Sequence, residues 1–261
     1  MPEETAERAG SPALLKARGD AAEPEAEVTT SRLDRRKART RASLVSAART
    51  LLASRDPAEI SIQEITDAAD VGFGSFYNHF QRKQDLFDAA VEDVLDEHGA
   101  MLDAATAGIT DPAEVFAAAV RMTARLPKTQ PQIARIFRRI GYDLVAAARG
   151  LSPRARRDLQ AARAAGRFTV DDVDVALACV AGALLGVLHM TSVNATPAGI
   201  DRAADELAAN LLRMFGVPAD EATRVTQRQL PRSAEAPETA GPPPAGGAPQ
   251  GVLIALTAPA G

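Results

Sequence analysis

There is no tryptophan in this sequence, and only one cysteine, Cys179. A lone cysteine excludes a disulfide framework and a paired-cysteine zinc site. The three histidines, His79, His98 and His189, lie far apart, and none has metal-ligand spacing. Also missing are a G-x-S-x-G elbow, a Walker loop and a spaced Cys–His pair, which removes the common nucleophile and nucleotide chemistries. Gly72-Phe73-Gly74-Ser75 is glycine-rich but lacks the strand-to-helix setting of a nucleotide loop. Neither a catalytic residue, a metal ligand nor a cofactor is therefore expected, and the chain is not read as an enzyme. The opening MPEETAERAG is acidic and has no apolar core, unlike a signal peptide. The longest apolar run, Val175 to Met190, has 16 residues rich in Ala and Gly. That is short of the ~20 a membrane span needs, so it is read as a buried helix. These absences point to a cytoplasmic protein with no membrane partner.

Charge is unevenly placed. The net of −4 does not suggest a nucleic-acid partner, and residues 1–30 carry seven acidic and three basic side chains. Residues 31–55 then carry eight basic residues against Asp34 alone. A basic block within an acidic chain is what a local phosphate-binding surface requires. Arg35, Arg36 and Arg39 lie at its centre. Such contacts position a protein on a duplex without reading its sequence.

Helical periodicity dominates between two Pro- and Ala-rich ends, and β-signals are few. The expected fold is all-α, with about nine helices. Residues 1–31 and 217–261 are read as disordered tails, the latter holding eight prolines. Residues 32–81 are read as a first, three-helix domain, and 82–216 as a second helical domain. The first helix is expected near Leu33–Ser54, stopped by Asp56-Pro57. Ser61 and Glu64 form an S-x-x-E capping box opening a second helix. Val71-Gly72 marks a tight turn, and Phe73 to Phe80 forms a third. A long helix follows from about Arg82, and Asp111-Pro112 opens another. Later helices are expected near 129–149, 152–165, 171–193 and 198–215.

A capped helix, a tight turn and a second short helix with one polar face make a helix-turn-helix. Phe76 and Phe80, four apart, anchor the second helix to a core. Gly74, Ser75, Asn78 and His79 then face outward, with Tyr77 at the boundary. A helix so posed fits a major groove about 12 Å wide.

The stretch Val71, Gly74, Ser75, Phe76, Tyr77, His79, Phe80, Lys83, Leu86 and Phe87 resembles the signature of the TetR (tetracycline-repressor) family over roughly residues 35–95. The resemblance implies a ligand-responsive transcriptional regulator, most often a repressor released from double-stranded operator DNA by a small-molecule effector. It makes Gln63, Phe73, Gly74, Ser75 and Tyr77 candidates for base or groove-edge contact, and Asn78, His79 and Lys83 for phosphate contact. Two departures stand out: Thr66 where a small Ala is usual, and Asp70 where the turn usually has Gly. Asp tolerates positive φ. Phe73 replaces a residue that is often polar, and either touches a thymine methyl group or extends the Phe76/Phe80 core stripe. A helical ligand-binding or interaction module without DNA binding is the competing reading. The basic block, Tyr77 and Lys83 argue against it.

An effector pocket is expected between helices of the second domain, lined by His98, Met101, Phe116, Met122, Phe137, Tyr142 and His189. Small residues between Val173 and Leu188, among them Ala178, Gly182 and Gly186, let another helix approach closely. With Leu207 and Leu211 on the following amphipathic helix, they suggest a four-helix interface in a homodimer.

Overall fold

The computed structural model describes residues 31–141 and 150–231, and these are all-helical, without a strand. Both expected tails, apart from residues 31 and 217–231, and Tyr142 lie outside the described residues. The chain divides into two compact units, Met1–Ala38 and Arg39–Gly261. In the first, Ser31 and Asp34 cap the start of helix α1 (Arg32–Ser54). The Asp34 N–H donates to Ser31 Oγ at 3.1 Å, and the Ser31 N–H to Asp34 Oδ2 at 3.3 Å.

Among the described residues, the second unit holds the rest of α1 and ten further α-helices. A small core forms where Leu44, Ala48 and Leu52 of α1 meet Ile65 of α2 (Ile62–Ala68), Phe76 of α3 (Phe73–Tyr77) and Leu86 of α4 (Lys83–Thr106). The spacing of four along α1 is the buried stripe of an amphipathic helix. Helix α4 runs on into a larger core, where Val94 and Leu95 meet α5 (Pro112–Ala124), α7 (Pro131–Ile140), α8 (Leu151–Ala164), α9 (Val173–Asn194) and α10 (Pro197–Met214). A single turn, α6 (Leu126–Thr129), joins α5 to α7. Pro112 opens α5 as expected, with Asp111 accepting from the Ala113 N–H at 3.0 Å.

Two side chains tie the small bundle to the rest of this unit. Arg49 of α1 donates to Asp93 at 2.6 Å and Glu97 at 2.5 Å on α4. Arg139 of α7 donates to the Leu52 and Arg55 carbonyls at the end of α1. The last four carbonyls of a helix lack partners within it, so a guanidinium there satisfies groups that otherwise need water.

The expected end of the folded region at residue 216 is corrected. An eleventh helix, α11 (Ala219–Gln227), docks through Ala222 and Val225, and Val217 is buried before it. Pro218 starts this helix instead of marking a tail, its missing N–H costing nothing at that end. Arg167 clamps the join, bonding Asp111 twice at 3.0 Å and Glu221 at 2.5 Å. Beside it Phe116, Phe168 and Phe215 pack with ring centroids 5.2–5.7 Å apart.

Candidate nucleic-acid interface and effector cavity

Helices α2 and α3 are held by local chemistry that the sequence announces. The Glu64 N–H donates to Ser61 Oγ at 3.1 Å, and the Ser61 N–H donates to Glu64 Oε2 at 2.8 Å, completing the capping box. Hydrogen bonding from Arg55, then from Ser61, holds the Glu64 carboxyl down at about 2. Helix α2 ends in a Schellman motif, with the Val71 N–H on Thr66 O at 3.0 Å and the Asp70 N–H on Asp67 O at 3.2 Å. Such an ending needs a left-handed residue, and Asp70 supplies it at φ 54°. Gly72, by contrast, has φ −65°. The turn therefore pivots on Asp70, not on the glycine. Thr66 is fully buried, and its hydroxyl donates to Gln63 O at 2.9 Å, so the extra polar group is satisfied within its own turn.

Phe76 is fully buried and its ring lies 6.0 Å from that of Phe80, the anchor expected of the recognition helix. Phe73 is 46% exposed and Tyr77 53%. Phe73 thus does not extend the core stripe. One turn apart, its ring meets Tyr77 edge-on at 5.8 Å on the outer face. Gly74 and Asn78 are exposed, Ser75 and His79 half-buried. Gln63 is exposed, its amide donating to Asp67 at 2.7 Å. Arg35 and Arg36 are exposed in the first unit, and Arg39 is exposed at the start of the second.

Lys83 departs from expectation. Its ammonium donates to Pro57 O at 2.8 Å and Ile60 O at 2.7 Å, and lies 5.7 Å from the Phe87 ring centroid. It clasps the α1–α2 connection to the start of α4. The sequence pattern marked this position, but its binding partners are backbone carbonyls that no side-chain motif encodes.

A cavity of about 70 Å³ opens between α4, α5, α8 and α9. Its surface is almost wholly apolar, from Phe116, Val120, Leu184 and their neighbours, with Asp103, Arg154 and Asp158 also among the lining residues. Arg154 donates to Asp103 at 2.8 Å and to Gly150 O at 2.8 Å, leaving Nη2 for another oxygen. It lies so close to α4 that a Cβ on Gly99 would meet the guanidinium at 2.7 Å, so a larger residue there would displace the arginine. Arg157 bridges Asp103 at 2.9 Å and Asp158 at 2.8 Å. Burial pushes the Asp158 carboxyl up against the pull of Arg157. Asp103 is also partly buried, but hydrogen bonds from Arg154 and Arg157 hold it below the ordinary carboxylate range.

Among the described residues of the expected lining, only Phe116 meets this cavity. His98 and Phe137 pack against each other behind it, ring centroids 5.5 Å apart, in the subunit core. His98 Nε2 lies 3.0 Å from Thr123 Oγ1, and Thr123 does line the cavity. The Thr123 hydroxyl spends its one proton on Ala119 O at 2.9 Å, so Nε2 is the donor to Thr123 and Nδ1 is a bare acceptor, buried without a partner. Met101 and Met122 are half-buried and outside the lining, and His189 is exposed on α9. Sequence reasoning sought aromatics and histidines and missed Asp103, Arg154 and Asp158. The available signal was the Arg154/Asp158 pair, four apart on one face of a helix.

Comparison with known proteins agrees with this layout. Residues 44–90 match the profile of bacterial regulatory proteins of the tetR family, and residues 111–228 that of the tetracyclin repressor-like C-terminal domain. The crystal structure of RolR in complex with resorcinol is 36% identical in sequence, covering 77% of this chain and 99% of that one at a TM-score of 0.65. The chain belongs to the TetR family. A probable acrEF/envCD operon repressor of Escherichia coli K12 is 25% identical over 207 residues, 72% of this chain and 91% of its own. A putative TetR-family regulator from Shewanella sp. PV-4 shares the fold at 13% identity, with a TM-score of 0.59, over 69% of this chain and 99% of its own. As a TetR-family member this chain is a ligand-responsive DNA-binding transcription repressor, and residues 44–90 are its family DNA-binding domain.

In the TetR frame, α9 has two faces. Leu177, Val180, Leu184 and Leu188 fill the core, whereas Val175, Ala178, Gly186, Met190 and Val193 are exposed and Gly182 is half-buried. By length and composition Val173–Val193 is apolar enough to cross a membrane, which the shorter unbroken run in the sequence concealed. Leu207 and Leu211, expected at an intersubunit face, are 6% and 3% exposed and sit in the subunit's own core. The amphipathic stripe of α10 was legible, but its direction was not: it faces α5 and α9 rather than a second subunit. Its outer face carries Arg202, Glu206, Asn210 and Arg213 instead.

Proposed function

We propose that this repressor is a homodimer that enters the major groove with α3 and is released by a small hydroxylated aromatic effector of the dihydroxybenzene type. The observation carrying the effector class is the cavity's lining: mostly apolar surface around Phe116, with a small polar share where Asp103, Asp158 and Arg154 are among the lining residues. A phenolic O–H can donate to either carboxylate, while Arg154 Nη2 donates to the same oxygen. The guanidiniums of Arg154 and Arg157 are already engaged by Asp103 and Asp158, so neither offers an unpaired positive charge to hold an anionic ligand such as a benzoate. Binding of resorcinol by a 36% identical relative supports this class. Benzene occupies an engineered apolar cavity of about 150 Å³. At about 70 Å³ this cavity is smaller, so an aromatic effector has to push its walls apart. One wall is α4, whose first turns belong to the DNA-binding core, and that motion is what links effector to operator.

The exposed apolar face of α9, with its small residues at 178, 182 and 186, supports dimerisation through that helix. A dimer reads two half-sites on one face of the duplex. Calorimetric titration of the full chain with resorcinol, phenol and benzoate tests the effector class. Resorcinol should bind best, and Asp158→Asn should weaken it about 10–100-fold, the worth of a hydrogen bond to a charged group. Preference for benzoate, or an Asp158→Asn protein that binds resorcinol normally, would overturn it.

A further inference from the structure

The recognition helix is poor in the groups that read bases by hydrogen bonds. Guanine is read by Arg or Lys, adenine by Asn or Gln, and cytosine by Asp or Glu. None of these occurs within Phe73–Tyr77. Its outward side chains are an exposed phenyl ring, no side chain at Gly74, a half-buried Ser75 and an exposed Tyr77. Among the described residues, Phe73 and Tyr77 are the exposed aromatic rings, and they touch each other. The two touching rings leave adjoining apolar surface in water, which a contact would bury.

The glycines on either side point the same way. Gly74 has no positive φ, and a Cβ built there would meet nothing within 4 Å. At Gly72 φ is also ordinary, and the nearest atom to such a Cβ is Ser75 Oγ at 3.9 Å. Nothing within the fold requires glycine at either position. Bare backbone flanking an exposed ring suits the close approach of a second surface.

Resting on the DNA-binding reading above, we propose that Phe73 reads thymine, its ring packing on the 5-methyl group of a thymine in each half-site. Tyr77 supports the ring edge-on, and the two glycines let the backbone close on the groove. Specificity in this protein then depends on a methyl group, which is the one apolar feature a base pair presents in the major groove.

The test begins by enriching duplexes from a random pool on the full-length protein. Each thymine of the enriched sequence is then replaced singly by deoxyuridine, which removes only the methyl group. Affinity is measured by fluorescence anisotropy at one fixed salt concentration. At least one thymine per half-site should lose about fourfold on replacement, the equivalent of about 0.8 kcal/mol for one buried carbon. Phe73→Ala should bind the thymine and uracil duplexes alike at that position while keeping the wild-type salt dependence of binding. Phe73→Leu should retain part of the discrimination. Uracil tolerated at every position overturns the inference, as does an equal penalty in Phe73→Ala and wild type. Failure to enrich any duplex would sink the DNA-binding reading itself, and this inference with it.

Discussion

Replacing Lys83 by Met keeps the aliphatic stem and removes the ammonium. The charge makes two hydrogen bonds, at 2.8 Å to Pro57 O and 2.7 Å to Ile60 O, and lies above the Phe87 ring. Hydrogen bonds to charged groups contribute about 1.5–3 kcal/mol each in protected surroundings. Lys83 is only half-buried, so water can replace part of that contribution. A net loss of about 2–3 kcal/mol follows for the pair, with the remote cation–π contact adding little. For a chain of this size that is a fall in Tm of roughly 4–12 °C. Thermal unfolding followed by circular dichroism reads it directly. Non-specific DNA affinity, measured below the melting range, should change little, because the clasp uses the ammonium within the fold. Unchanged Tm together with a flattened salt dependence of DNA binding would refute the reasoning, and would make Lys83 a phosphate contact.

Three further outcomes are expected. Leu207→Ala should destabilise the subunit by about 2–5 kcal/mol in urea denaturation, the cost of a buried Leu deletion, without changing the oligomeric state seen by sedimentation. Val175→Glu on the exposed face of α9 should leave helicity intact but shift sedimentation toward monomer; a persistent dimer would remove α9 from the interface. His98 should make stability pH-dependent. Burial lowers it from 6.5 to about 4, so below pH 6.5 the unfolded chain takes up a proton that the native state refuses. Stability is therefore full above pH 6.5 and falls by on the order of 3 kcal/mol by pH 4, a slope absent in His98→Gln.

Much of the DNA-binding half was legible because its signals are local. Ser61 with Glu64, Asp70 in the left-handed turn, and Phe76 with Phe80 each act within one or two helical turns, so spacing alone locates them. What escaped were directions and long-range partners. The stripe containing Leu207 and Leu211 was visible as a stripe, but periodicity does not say which neighbour covers it. Phe73 could serve core or groove until α3 was seen to turn it outward. Lys83 and Arg139 bond backbone carbonyls 23 or more residues away, a contact carrying no side-chain signature. The cavity escaped for a related reason. Its charged members are Asp103 of α4 and Arg154 and Asp158 of α8, and only helix packing brings them together. Proline content misled at residues 217–231, because a proline at the start of a helix looks in the sequence like one in a tail.

The affinity of the full-length protein for its enriched duplex, measured with and without saturating resorcinol, tests the coupling of cavity to DNA most directly. Resorcinol should weaken duplex binding roughly 5–150-fold, the range of coupling free energies of about 1–3 kcal/mol. Arg154→Ala should leave the resorcinol-free affinity intact and abolish the response. A duplex affinity that stays the same with and without resorcinol would contradict the proposal that this cavity controls the repressor.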